Sequence, residues 1–150
     1  MSKTYIPVGL RQEVIERAGF RCEYCLLHRD DARLRHEVDH VIAEKHGGLT
    51  ESHNLAYACF PCNRNKGSDI GSLDDSGALS RFFNPRMDIW QEHFRIVDDR
   101  IEPLTPVGAV TTFIFDFNAT DRCEERHELQ ELGRYPTGDL SASDAAPNIS

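Results

Sequence analysis

Two Cys-x-x-Cys pairs, Cys22-Glu23-Tyr24-Cys25 and Cys59-Phe60-Pro61-Cys62, constrain this chain more than any other feature of its sequence. Each pair puts two thiols on one tight turn, and two such turns brought together supply the four soft ligands of a closed tetrahedral zinc site. The 33 residues between Cys25 and Cys59 exceed the spacing of a simple finger, so a substructure must be threaded between the knuckles. Two other readings are a pair of disulfides and a thioredoxin-like redox dithiol. Disulfides fit poorly with a chain whose start lacks an export signal, because cytosolic thiols stay reduced. A redox dithiol wants one such pair beside a βαβ pattern, whereas two are present. Structural zinc on Cys22, Cys25, Cys59 and Cys62 is the expectation. A module of some fifty residues buries little surface, so the metal's ~10–16 kcal/mol of apparent binding energy would make its folding zinc-dependent.

The threaded segment carries Glu37-Val38-Asp39-His40-Val41-Ile42. Val38 between polar neighbours indicates a strand ending at the Asp-His dipeptide, with the two side chains on different faces. Hydrolysis of a phosphodiester needs a nucleophilic water, a general base and a cation on the scissile phosphate. His40 suits the base, since a reference pKa of ~6.5 leaves imidazole largely neutral at cellular pH. Asp39 suits a hard cation such as Mg²⁺, and the amide oxygen of Asn63 can complete a two-ligand oxygen site. An Asp-His dipeptide alone is usually an ordinary surface feature. The enclosing cysteine frame gives this one its weight.

The pattern Cys22-x-x-Cys25, Asp39-His40, Gly47-Gly48, Asn54-Leu55, Cys59-x-x-Cys62-Asn63-x-x-Lys66-Gly67 resembles the HNH endonucleases, and most of all their four-cysteine bacterial branch. The resemblance covers about residues 20–70. It implies a ββα-metal fold in which His40 is the general base, Asp39 ligates the catalytic cation, and Asn54 orients the histidine-bearing loop through backbone hydrogen bonds. The third motif position, often a histidine ligand in the family, is Asn63 here. That H-N-N version favours Mg²⁺ or Mn²⁺ over metals that prefer imidazole. The RNA-guided CRISPR effector nucleases resemble the same Asp-His, Asn, Asn arrangement. Lys66, on one helical face with Asn63, is a candidate phosphate contact, with Arg64 and Lys45 as lesser candidates.

The expected fold class is α+β: a small ββα-metal nuclease core stapled by a four-cysteine zinc site, with an N-terminal helix and a mixed α/β C-terminal extension. Residues 1–20 read as a helix packing on the core: Pro7 suits a first turn, Leu10, Val14, Ile15 and Ala18 recur at helical spacing, and Gly19 terminates it. Residues 21–70 are the nuclease module. Leu26 to Arg35 is a polar loop or short helix, in which Arg29, Arg33 and Arg35 read first as a solvated surface and second as cations along a nucleic-acid backbone. His46 and His53 lie in a Gly-rich polar loop and read as solvated. In the module Leu55 to Ala58 is the second strand, and a helix runs from Pro61 to Gly67.

Residues 71–135 form the extension, after a linker read over Ser68 to Gly77. A strand is expected over Leu79 to Phe83 and a helix over Met87 to Phe94 with Ile89, Trp90 and Phe94 on its apolar side. Strands flank an Asp98-Asp99 turn. Thr105-Pro106 starts a helix over Val107 to Phe117, and Thr120 to Leu132 is a charged helix carrying a free thiol at Cys123. Residues 136–150 read as a disordered acidic tail.

No apolar run approaches a membrane span, and the expected compartment is the cytoplasm. The formal charge of −8 is unusual for a nucleic-acid enzyme. Residues 1–70 balance ten Lys and Arg against ten Asp and Glu, while residues 71–150 hold seven against fifteen, so the acidity belongs to the second half. The reading is a metal-dependent endonuclease with structural Zn²⁺ and catalytic Mg²⁺ or Mn²⁺, acting on DNA. The alternatives are a zinc-stabilised nucleic-acid-binding module without catalysis, and a nuclease acting on RNA or on a partner-guided target.

Overall fold

The computed structural model describes residues 5–136. The first helix, α1 (Val8–Arg17), follows Pro7 and ends where Gly19 and Phe20 take positive φ. It carries Val14 into a small apolar cluster with Ile6, Val38, Leu55 and Tyr57, flanked by Leu10, Ile15 and Ala18. The residues spaced for that face are the ones that pack. After the first knuckle a short 3-10 turn, Arg29–Asp31, leads into strand β1 (Glu37–His40). This strand pairs antiparallel with β2 (Leu55–Ala58), bringing His40 opposite Leu55 and Glu37 opposite Ala58. Helix α2 (Phe60–Lys66) starts with proline in its first turn, where a missing N–H costs nothing, and stops at Gly67 with positive φ. These three elements are the expected ββα unit.

The extension is structured from its first residues, which corrects the linker reading. Gly71–Leu73 is a strand, β3, paired with β4 (Leu79–Arg81). The Asp74 carboxylate closes this hairpin by accepting from the amides of Ser76 and Ala78 and from the Ser76 hydroxyl. Polar, glycine-containing sequence therefore marks a hairpin turn here. The helix expected over Met87 to Phe94 shrinks to α3 (Trp90–His93), and Ile89 stands 57% exposed instead of lining an apolar side. Asp88 explains the shortening: it accepts two bonds from Arg81 and one from the Asn84 amide, holding residues 84–88 as a turn. Strands β5 (Phe94–Val97) and β6 (Arg100–Pro103) pair around Asp98 and Asp99, with Asp98 at positive φ. Helix α4 (Pro106–Ile114) is capped by the Thr105 hydroxyl on the Gly108 amide, and α5 (Thr120–Glu131) carries Cys123 as a free cysteine. The acidic tail expected over 136–150 lies outside the described residues apart from Pro136.

One apolar core unites the extension with the cysteine module. Cys22, Tyr24, Cys25, Cys59 and Cys62 pack in it beside Phe82, Phe83, Trp90, Phe94, Phe115 and Phe117. Polar ties secure the seam: Trp90 donates to the Tyr24 carbonyl at 2.8 Å, Asn65 to the Phe115 carbonyl at 2.8 Å and Tyr135 to the Cys25 carbonyl at 2.7 Å. Buried aromatics of this size dominate core energetics, so the extension supplies the surface that the small module lacks. Among the described residues no helix is long and apolar enough to cross a membrane.

Candidate functional site

The residues between β1 and β2 form a loop whose shape one side chain dictates. Asn54 is buried; its amide oxygen accepts from the Ile42 N–H at 2.9 Å, and its NH₂ donates to the carbonyls of Ile42 and Leu49, both at 2.9 Å. The Val41 N–H bonds the Asn54 carbonyl at 2.8 Å, so the loop is pinned at its neck by backbone as well. Gly48 lets the chain pass close by, since a Cβ there would stand 1.7 Å from the Ile42 carbonyl oxygen. Any other residue at 48 would push the loop off its neck.

This neck fixes the end of β1, where Val38 and His40 are buried and Asp39 is partly exposed. The His40 ring is 8% exposed, and its Nε2 lies 2.8 Å from the Thr50 hydroxyl in the same loop. Its Nδ1 lies 3.9 Å from the Asp39 carboxylate, so the two side chains share one end of the strand. Lys66 reaches this point from α2. Its sequence position suggests a phosphate contact, but it is only 4% exposed and its Nζ donates to the His40 carbonyl at 3.1 Å. Burial lowers the pKa of this amine, and the nearby Asp39 and Asp69 carboxylates push it back up. The lysine braces the end of β1 and offers no exposed cation to a ligand. Asn63 sits one helical turn before Lys66 on α2 and is partly exposed. Arg64 is exposed, its guanidinium 5.9 Å from the Phe60 ring, and Lys45 is exposed in the 3-10 turn Glu44–His46. His46 bonds the Ser68 carbonyl at 3.0 Å and His53 pairs with Glu51 at 3.3 Å, so both have protein partners.

At the other end of the unit the four cysteines meet. One sulfur from each of Cys22, Cys25, Cys59 and Cys62 lies within 4.8 Å of all the others, and all four residues are buried. Cys25 Sγ and Cys59 Sγ are 3.5 Å apart and all four cysteines are free, which excludes the disulfide reading for these residues. Four ligands at ~2.3 Å from one ion would stand about 3.8 Å apart, so the cluster is arranged to hold a tetrahedral metal. Arg122 completes its surroundings, with Nη2 3.1 Å from Cys62 Sγ and 3.8 Å from Cys59 Sγ, while Nη1 donates to the Phe115 and Asp116 carbonyls. Burial alone would lower the pKa of this guanidinium, yet the Cys62, Cys25 and Cys59 sulfurs raise it well above the usual arginine value. The buried guanidinium places a fixed positive charge beside the sulfur cluster. A second pair, Glu23 and Arg86, links the first knuckle to residue 86 of the extension, with Glu23 also accepting from the Tyr57 amide at 3.0 Å.

The sequence matches the HNH endonuclease family model over residues 22–69, from the first cysteine to the end of the ββα unit. That segment is similar to an HNH domain. No curated protein and no solved structure matches the chain. Within the matched segment the four cysteines, Asp39, His40, Asn54 and Asn63 are the positions that the sequence singles out, whereas Thr50 is not among them, and neither is Arg122 outside it. Thr50 is one hydroxyl in a polar loop, and Arg122 lies sixty residues after Cys62 in a helix of mixed charge. Nothing local in the sequence distinguishes either.

Proposed function

We propose that this protein is a metal-dependent endonuclease that hydrolyses DNA phosphodiester bonds. The observation that carries the reading is the Asn54-clamped neck, which holds His40 and Asp39 together at the end of β1 inside an HNH domain. A surface loop with no chemical task does not need a buried amide making three backbone bonds to fix its neck.

In this reading His40 is the general base. Nε2–H donates to the Thr50 hydroxyl, leaving the Nδ1 lone pair free on the side of Asp39 to take a proton from water. Lys66, on the His40 carbonyl, fixes the backbone from which the ring projects. Asp39 and the Asn63 amide oxygen are a hard donor set that fits Mg²⁺ or Mn²⁺. When bound, such a cation withdraws charge from the scissile phosphate and the leaving oxygen. Asn54 is a positioning residue. The cysteine cluster holds structural Zn²⁺: four thiolates suit that ion, and the Arg122 guanidinium offsets the net negative charge of the complex. Arg64 and Lys45, both exposed, remain candidate phosphate contacts.

The test is cleavage of supercoiled plasmid by zinc-loaded protein with Mg²⁺, Mn²⁺ or EDTA. Nicking that requires the added cation is the expected result. Retention of DNA on a low-salt gel without cleavage under any metal would instead establish a binding module, and cleavage confined to RNA would move the substrate.

A further inference from the structure

A groove of about 660 Å³ opens at the start of β1, away from His40, between α1 and the 3-10 turn at Arg29–Asp31. Its size falls within the ~300–1,000 Å³ of ordinary ligand sites. Three arginines line it. Arg35 is 89% exposed and only 4.0 Å from its nearest acid, Glu37; Arg29 lies over the Phe20 ring at 4.6 Å; Arg11 comes from α1. Asp30 and Glu37 also line the groove, leaving it one positive charge in excess on a protein of formal charge −8. By contrast, the groove of about 550 Å³ beside α5 is lined by Asp31, Asp121, Glu124, Glu125 and Glu128 against Arg33 and Arg122. Of these two large grooves, the first carries the excess of positive charge and the second an excess of negative charge.

Two buried rings back the arginine groove. His36 packs on Tyr57 with centroids 5.1 Å apart, both residues being buried. His36 is 5% exposed and bonds the Leu27 carbonyl through Nε2 at 2.9 Å, so Nε2 carries the proton and Nδ1 is an acceptor. Nδ1 has no hydrogen-bond partner. Desolvation lowers the pKa of the ring and so favours this neutral form, even with the Leu27 bond opposing it. Three arginines around one groove match a nucleic-acid strand, which offers a run of phosphate oxygens.

The groove also lies at a useful distance from the reacting centre. His36 precedes β1 and His40 ends it, four residues on, so at ~3.3 Å per residue they are about 13 Å apart.

We propose that this groove, with Arg11, Arg29 and Arg35 on its walls, holds the phosphodiester backbone of the bound strand about 13 Å from the position of cleavage. It rests on the nuclease reading for its substrate class and gives an acidic chain an electrostatic footprint. The test is fluorescence anisotropy of a labelled DNA duplex and of single-stranded RNA on the metal-loaded full chain without added Mg²⁺, across a salt series. The Arg11→Gln/Arg35→Gln variant should lose about 10-fold in affinity at low salt, and its log–log salt slope should become shallower by about 2 for duplex DNA or slightly less for RNA. Whichever probe shows the loss identifies the strand. The Arg95→Gln/Arg100→Gln control on the β5–β6 hairpin should bind like wild type. Wild-type affinity in the groove variant, or an equal loss in the control, overturns the groove. Wild type that binds neither probe overturns the groove and the nuclease reading together. Binding through these arginines without cleavage under any cation would keep the groove and remove the nuclease reading alone.

Discussion

The two ends of the ββα unit are held by opposite means. At the cysteine end four sulfurs sit inside an aromatic core shared with the C-terminal extension, and the cation facing them is itself buried. At the His40 end a polar loop keeps its shape through one side-chain amide, one hydroxyl and one buried ammonium. The first end makes the fold and the second makes the site, and they share little besides β1, β2 and α2. Lys66 joins them: it lies one turn after Cys62 on α2 and reaches the His40 carbonyl. Damage at the first end should therefore abolish the structure, while damage at the second should be local.

The largest expected effect follows from breaking the cysteine end. Cys22→Ser, or removal of the metal by a strong chelator, should unfold the domain, because the site contributes on the order of 10 kcal/mol to folding. Far-ultraviolet circular dichroism and metal content read this directly; a folded, metal-free Cys22→Ser protein would break the comparison. Next is His40→Ala. It should lower the cleavage rate by ~10²–10⁴, as for a lost general base, with melting temperature and zinc content near wild type. Asn54→Ala leaves the buried Ile42 N–H without its acceptor and empties three hydrogen bonds. A loss of about 3 kcal/mol in urea unfolding, together with cleavage reduced far more than DNA binding, is expected. Arg122→Leu sharpens the contrast from the other side. It should weaken zinc affinity about 10–100-fold in chelator competition and leave the metal dependence of cleavage unchanged once zinc is saturating. The smallest effect belongs to Arg64→Ala, an exposed cation, which should change stability by less than about 0.5 kcal/mol in the same unfolding assay.

The ββα unit is legible in the sequence because each of its parts has a local cause. The cysteine pairs mark both knuckles, Val38 alternates with polar neighbours, Pro61 opens a helix and Gly67 closes it. The long-range facts are not legible. Lys66 reads as a free cation from its charge, but its surroundings, the His40 carbonyl above all, are set by how α2 lies against β1. Residues 71–73 have no strand pattern of their own, and their strand exists only because Asp74 turns the chain back onto β4. Helical spacing puts Ile89 on an apolar face, and the Asp88 turn removes that helix. Arg122 is the clearest case, since its partner sulfurs lie in a knuckle sixty residues earlier. In each case the deciding contact lies outside the window that periodicity can see.

The central claim, that scaffold and chemistry are separable within one small domain, is tested most directly on the His40→Ala protein. Zinc stoichiometry, melting temperature and plasmid cleavage with Mg²⁺ or Mn²⁺ are measured on one preparation beside wild type. The account predicts one zinc per chain, an unchanged melting temperature and loss of cleavage. Cleavage at the wild-type rate, or loss of zinc and fold along with activity, would contradict it.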